Sequence, residues 1–268
     1  MTTLSVGLVT YHPDRNMLRD TLASLRAAAT QAKASNDLND VVLTLIDNGD
    51  DKGLVELAQQ EGWKSVRLQS GQGNVGFGRA HNLAMAQGMG DLHLILNPDV
   101  HLQPESLRCA LRFMQAHPEC ALLSPAMQNE GSVWHFLCKR SPSVFDLFLR
   151  GFAPGWMRRL FKARMARYEM EDEGRQSVMW DPPIMSGCFM LCRAEALRQL
   201  GGFDARYFLY FEDFDLSLRA RAFGRLAAVS DVRIAHFGGG AARKGWKHIK
   251  MFCHSAWVFF SLHGWKWI

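Results

Sequence analysis

The sequence predicts an α/β protein with a largely parallel sheet, and three observations carry that reading. Short apolar runs alternate with segments whose apolar residues recur at helical spacing, which is the pattern of strands crossing over through helices. The strongest runs each stop at a polar turn, Thr10-Tyr11, Asp47-Asn48 and Asn97-Pro98-Asp99. Finally, 268 residues with 48% hydrophobic and 21% charged side chains can bury a full core. That composition excludes a disordered, collagen-like or coiled-coil chain.

In chain order, Leu4 to Thr10 (LSVGLVT) is a buried strand. Arg15 to about Lys33 carries Met17, Leu18, Leu22, Leu25 and Ala29 on one helical face. Val41 to Ile46 is a second strand, Leu54 to Gln60 a short helix and Ser65 to Leu68 a weaker strand. A glycine-rich turn, Gly71 to Gly78, opens a helix through Ala86. Leu92 to Leu96 is a third strong strand, and Pro104 to Ala116 a helix with Pro in its first turn. Cys120 to Pro125 reads as a further strand, and residues 140–180 as a helical, basic, aromatic insertion. Ile184 to Cys192 is strand-like, Arg193 to Leu200 helical up to Gly201-Gly202, and Asp213 to Phe223 helical up to Gly224. Leu226 to Val229 is a short strand and Trp246 to His263 a final helix. In such sheets ligands sit beyond the carboxyl ends of the strands, so the three polar strand ends mark the expected site.

Charge is uneven. The stretch between Asp146 and Glu169 and the stretch from Val232 to Ile268 each hold six Lys or Arg and no acid. They take 12 of the 31 positive charges, leaving 19 against 26 acids, a body of net −7. Both stretches mix their cations with aromatic and Leu residues, a composition that suits an anionic membrane surface or, equally, a packed helix with a solvated basic face. No nucleic-acid motif accompanies them. The six cysteines form no CxxC pair, so neither a disulfide framework nor a zinc site is expected. No apolar run is long enough to span a bilayer, and the N-terminus has neither basic n-region nor cleavage site, so no signal peptide is expected.

Two motifs compete for the site. Gly71-Gln72-Gly73-Asn74-Val75-Gly76 matches GxGxxG between a strand and a helix, with Asp99 at about the distance of a ribose-binding acid. It would make the chain an NAD-dependent oxidoreductase, yet two strands precede it and the other acidic strand ends stay unexplained. A second constellation joins more residues: LVTY (8–11), IDNGD (46–50), NVGFGRAHNLA (74–84), LNPDV (96–100), the block from Ser186 through EDFDLSLR to Gly224, and HFGGG (236–240). In order and spacing these stretches resemble family 2 glycosyltransferases of the GT-A fold, especially the bacterial rhamnosyltransferase-like branch.

The resemblance implies one GT-A domain over 1–268. A sugar-nucleotide-binding half (1–125) and an acceptor half (126–240) would share one mixed, mostly parallel sheet, and a basic aromatic helix (241–268) would follow. It implies inverting transfer of a sugar, L-rhamnose from dTDP-rhamnose on the branch's pattern, to a glycan or lipid-linked acceptor in cell-surface polysaccharide synthesis. Asp47 would accept a pyrimidine N–H, beside Thr10 and Tyr11. Asn74, Gly76, Arg79 and Asn97 would line the donor. Asp99, with His236, would hold Mg²⁺ or Mn²⁺, a hard cation that takes oxygen ligands and phosphate. Asn97 stands where the family's metal motif has its first Asp, which leaves the metal fewer protein ligands. Asp213 would be the base, since an inverting transfer needs one carboxylate by the acceptor hydroxyl and no acid for a metal-bound diphosphate. Glu212, Gly187 and Trp180, with Trp134, would serve the acceptor. The expected place is the cytoplasm, with peripheral contact on the inner membrane's anionic face.

Overall fold

The computed structural model describes residues 2–128, 134–170, 176–237 and 245–268. Gly238 to Gly240 of the HFGGG motif lie outside the described residues, as do Arg243 and Lys244 of the C-terminal basic stretch. Strands β1 (Thr2–Thr10), β2 (Leu38–Asp47), β3 (Val66–Gln69) and β4 (Leu92–Leu96) run parallel in the order β3-β2-β1-β4. The sheet continues through β11 (Phe189–Arg193), antiparallel to β4 and to β6 (Cys120–Gln128). Next come β12 (Arg225–His236), parallel to β6, and β5 (Val100–Leu102), antiparallel to β12. Short β7 (Trp134–Phe136) extends from β6, and β9 (Val178–Trp180) pairs with β12. A separate ribbon joins β8 (Cys138–Lys139) to β10 (Ile184–Met185).

Both faces of the sheet are covered, which is why its strands read as nearly continuous apolar runs. Helices α1 (Arg15–Ala34), α2 (Leu54–Gln60) and α4 (Ser106–Ala116) bury Leu22, Leu57 and Leu111 against Leu4, Val6 and Leu8 of β1. On the other face, α3 (Phe77–Ala86) packs Ala80 and Ala84 on Val9 and Ile46. Helices α8 (Ala194–Leu200) and α9 (Glu212–Ala220) bury Leu197 and Leu216 with Ile95 and Leu226. Asp14 caps α1 by accepting from the N–H groups of Asn16 and Met17.

Under α3 the packing admits only glycine in β1. A Cβ on Gly7 would sit 3.1 Å from Ala84 Cβ and 3.2 Å from ring nitrogens of both His81 and His93. Both imidazoles are buried, and burial pushes their pKa values down to about 3 and about 4. Ser5 Oγ meets His93 Nδ1 at 2.8 Å.

The basic, aromatic insertion folds as α5 (Val144–Gly151), α6 (Gly155–Leu160) and α7 (Lys162–Tyr168), and the last helix is α10 (Trp246–His263). No helix among the described residues is long and apolar enough to cross a membrane.

Candidate active site

The site forms where β1, β2 and β4 end side by side. Thr10 pairs in register with Asp47, and Leu8 with Leu96, so Thr10, Asp47 and Asn97 emerge at one edge of the sheet. Asp47 is fully buried and its carboxylate accepts three local hydrogen bonds, two on Oδ1 and one on Oδ2. Oδ1 accepts from Thr10 Oγ1 (3.2 Å) and Gly49 N (2.9 Å), and Oδ2 from Asp51 N (2.6 Å). Gln72 Nε2 donates to the Asp47 carbonyl at 2.7 Å, which ties the glycine turn to the same loop. Tyr11 is exposed and its ring lies against His12.

The glycine turn itself is a packing device. Asn74 Oδ1 accepts from Gly76 N at 3.0 Å, and Phe77 N donates to the Phe208 carbonyl at 3.0 Å. Gly76 has φ +89°, and a Cβ there would collide with the Phe208 backbone. Gly76 is therefore a packing glycine, whereas a Cβ on Gly71 or Gly73 would meet nothing within 4 Å. Arg79 and Asn82 are likewise committed to protein. Arg79 Nε donates to Ala205 O (2.7 Å), while Asn82 exchanges hydrogen bonds with both backbone groups of Phe203 (2.8 and 2.9 Å). They clamp the 203–208 loop to α3, and Arg79, which is exposed, uses only its Nε in that contact.

Asp99 and His236 face each other, with His236 Nε2 3.2 Å from Asp99 Oδ1. The contact follows from the sheet, because β5 starts directly after Asp99 and pairs Val100 with His236. Phe237 N also donates to the Asp99 carbonyl (3.1 Å). Beside them the buried Oδ1 of Asn97 has no hydrogen-bond partner. An orphaned amide oxygen, a carboxylate and an imidazole are donors that suit Mg²⁺ or Mn²⁺. Among the described residues no group of three His, Cys, Asp or Glu gathers as a metal cluster, so a metal here would draw its remaining ligands from diphosphate and water.

Asn97 N donates to Cys188 O at 2.9 Å, and this bond links the end of β4 to the turn that holds Asp213. One residue earlier, Gly187 N donates to Asp213 Oδ2 at 3.0 Å. Phe214 N donates to Oδ1 of the same carboxylate, also at 3.0 Å. A Cβ on Gly187 would lie 3.1 Å from Asp213 Cβ, so the missing side chain lets the carboxylate approach this backbone. Two residues in left-handed backbone, Tyr210 (φ 72°) and Phe211 (φ 66°), turn the chain into α9. Such conformations cost of order 1–3 kcal/mol each and persist where packing over-determines them. Here Phe211 is wedged against Phe252 and Phe259 of α10, and Tyr210 Oη meets His248 Nδ1 at 2.9 Å.

The acids of α9 divide by environment. Burial raises the Asp213 carboxyl above its ordinary range, opposed by the Gly187 N–H and the nearby Lys139 ammonium. Burial raises Glu212 as well, followed by repulsion from Asp213, and its buried Oε2 has no partner. Both carboxyls are thus pushed upward, and the Gly187 N–H and the Lys139 ammonium pull Asp213 back toward its ionised form. Asp215 is structural, paired with Arg219 (2.6 Å) and His263 (2.8 Å).

Trp180 does not join this site. It pairs with Ala227, nine residues before His236 and roughly 30 Å of strand away. Its ring packs on Phe113 and His117 beneath the Arg225 guanidinium. Trp134 sits similarly under Arg233. Sequence reasoning missed Lys139, whose two-residue strand has no periodicity to read. Burial pushes its pKa down to about 8, while the Asp213 charge opposes that shift.

Comparison with known proteins agrees with this arrangement. The family model described as Glycosyltransferase like family 2 matches residues 4–250. An N-acetylglucosaminyl-diphospho-decaprenol L-rhamnosyltransferase of Mycobacterium tuberculosis is 31% identical over 247 residues, covering 87% of this chain and 75% of its own. The rhamnosyltransferase WbbL of Escherichia coli is 27% identical over 173 residues, 62% of each chain. Among solved structures, GalNAc-T7 with UDP, GalNAc and Mn²⁺ superposes with TM-score 0.61 at 14% identity, over 88% of this chain and 43% of that one. The Pyrobaculum calidifontis mannosyltransferase PcManGT with GDP-Man and Mn²⁺ gives 0.59 at 17% identity, over 96% of this chain and 64% of that one. The chain thus spans less than two thirds of either solved neighbour, and those likenesses establish the GT-A fold. With strand ends, base corner and family model in agreement, the chain belongs to glycosyltransferase family 2, as a rhamnosyltransferase-like member.

Proposed function

We propose that this glycosyltransferase is inverting and metal-assisted, moving L-rhamnose from dTDP-rhamnose to a glycan or lipid-linked acceptor in bacterial cell-surface polysaccharide synthesis. The observation that carries the reading is the Asp213 carboxylate, fixed by the N–H of Gly187, whose chain neighbour Cys188 accepts from Asn97 N. The M. tuberculosis relative, by its name, transfers L-rhamnose to a lipid diphosphate, which supports both the sugar and the acceptor class.

In this reading Asp213 takes the proton of the acceptor hydroxyl, worth about 10²–10⁴-fold in rate. The oxygen attacks the anomeric carbon from the face opposite the diphosphate. The carbon–oxygen bond to the diphosphate breaks, and dTDP departs as the anion. Asp99, His236 and Asn97 Oδ1 would hold the divalent cation, which when bound neutralises diphosphate charge as a Lewis acid. Glu212, carrying its proton, donates a hydrogen bond to the acceptor. Thr10, Tyr11 and the loop that Asp47 braces form the base pocket, with Asn74 and Gly76 at its rim.

A thermal-shift panel of dTDP, UDP, GDP and NAD, each with and without Mn²⁺, tests the reading. A ligand that binds only the native state raises Tm by mass action. Metal-dependent stabilisation by dTDP or UDP, followed by rhamnose transfer to a lipid-diphosphate sugar, is the expected result. Stabilisation by GDP alone would overturn the donor assignment, and a metal-indifferent response would overturn the metal.

A further inference from the structure

The two basic, aromatic segments lie more than sixty residues apart in sequence, yet they meet in the fold. Val144 N donates to Lys266 O (2.8 Å) and Phe145 N to Trp267 O (3.1 Å). The rings of Phe152 and Phe252 are in edge contact at 6.3 Å. Around this seam large apolar side chains stand in water. Helix α6 buries none of its residues, and its Trp156 and Leu160 are 65% and 71% exposed. These two are four apart, so they share one stripe. On α10 the inner positions Ser255, Val258 and Phe259 are buried, while Trp246 and Trp257 are exposed. Eleven residues are three helical turns, so both tryptophans share the outer stripe, with Lys250 between them. Trp265 and Trp267 stack on each other beyond its end and are 47% and 63% exposed.

An exposed aromatic patch marks an interaction surface, and its charge selects the partner. Arg158, Arg159 and Lys162 stand exposed beside Trp156, and Lys247 and Lys250 beside Trp246. From Val144 to Tyr168 the sole acid is Asp146, which is buried and paired with Arg164 (2.6 Å). A second copy of the chain would bring the same positive charge against this patch. A surface of anionic headgroups above a hydrocarbon layer satisfies both features at once.

We propose that α6, the outer stripe of α10 and the tryptophans that follow it form one docking surface for an anionic phospholipid bilayer. The surface is rigidly coupled to the catalytic corner, because α10 holds Phe211, Asp215 and the Leu209 carbonyl, the last through Ser255 Oγ (2.8 Å). Docking therefore fixes how α9 faces the bilayer. That last consequence rests on the lipid-linked acceptor proposed above, whereas bilayer binding does not.

Flotation of the full chain with phosphatidylcholine vesicles, with and without phosphatidylglycerol, tests this without any sugar nucleotide. Binding is expected to require phosphatidylglycerol and to weaken at high salt. The charge variant R158E/K250E and the aromatic variant W156S/W257S/W267S should each bind about tenfold more weakly or worse. Both should keep the wild-type Tm and the wild-type rate on a water-soluble acceptor. Equal binding to both vesicle types, or variants that bind like wild type, would overturn the proposal. So would a dimer in sedimentation velocity that the tryptophan substitutions dissolve while lipid binding persists.

Discussion

The backbone N–H of Gly187 and the Oδ2 of Asp213 lie 3.0 Å apart, and the same glycine leaves only 3.1 Å between an added Cβ and Asp213 Cβ. One residue both charges and aims the base. Gly187→Ala should displace the carboxylate while leaving the sheet intact. Single-turnover kinetics should show a loss of roughly 10²-fold, the scale of an ångström-level misplacement, with Tm and donor affinity near wild type. Loss of donor binding in parallel would mean that the substitution disturbs more than the base.

Asp213→Asn keeps the hydrogen-bond acceptor for Gly187 N–H and removes the proton acceptor. Transfer should fall by about 10²–10⁴-fold with unchanged calorimetric affinity for the donor nucleotide. If affinity falls as far as rate, Asp213 serves the fold instead.

Lys139 supplies positive charge beside Asp213 and helps keep that carboxylate ionised. In Lys139→Met the base should hold its proton to higher pH. The acid limb of the kcat/KM profile should therefore move upward, and Lys139→Arg should restore it. A uniform drop in rate with an unmoved limb would argue against this electrostatic role.

The proposed metal site rests on Asp99 and His236. His236→Ala should raise the Mn²⁺ concentration for half-maximal activity on the order of tenfold, the scale on which lost partners weaken metal sites. Asp99→Ala should abolish any metal-dependent rise in Tm with dTDP. Metal titrations of activity and of thermal stability read the two effects separately.

His81 and His93 impose a pH dependence on the fold. Both are neutral when native, with pKa values about 3 and about 4, below the ordinary 6.5. Above 6.5 neither state takes up the protons and the stability is whole. As pH falls below 6.5 the unfolded chain binds protons that the native chain refuses, so stability declines by up to about 1.4 kcal/mol per pH unit per group. The decline ends near the native values. Urea midpoints should drop steeply between pH 6.5 and 4, and His93→Asn should flatten the slope. A wild-type midpoint that stays level over that range would rule the pair out.

Elements with a clean period were legible. Leu54–Gln60, Leu92–Leu96 and Trp246–His263 fall at the residues their apolar spacing marks. The failures have physical causes. Ile184 to Cys192 reads as one strand, but the chain breaks at Ser186–Cys188 so that Gly187 can meet Asp213. β12 reads as four residues because Ser230 and Asp231 interrupt the apolar run. In the sheet they form a bulge, and pairing with β6 resumes at Arg233. Thus His236 is carried to Asp99 by a strand whose second half is invisible in sequence. Of the candidate site, the strand ends Thr10, Asp47 and Asn97 were legible, and the sheet brings them to one edge. Trp180 was misplaced because exposure of an aromatic face depends on tertiary packing, and the carbonyl contact of Arg79 was not legible because a cation on a helix can as well bind a carbonyl as a phosphate.

The left-handed pair Tyr210–Phe211 is held by Phe252, Phe259 and His248, all on the last helix. A scan by C-terminal deletion would therefore lose turnover when it enters α10, although that helix supplies none of the groups assigned to donor, metal or proton transfer. Such a map would assign the chemistry to the wrong end of the polypeptide. Supplying the missing helix as a separate peptide should return activity in proportion to the fraction docked, making this corner a ready point at which to split the enzyme and switch it by reassembly.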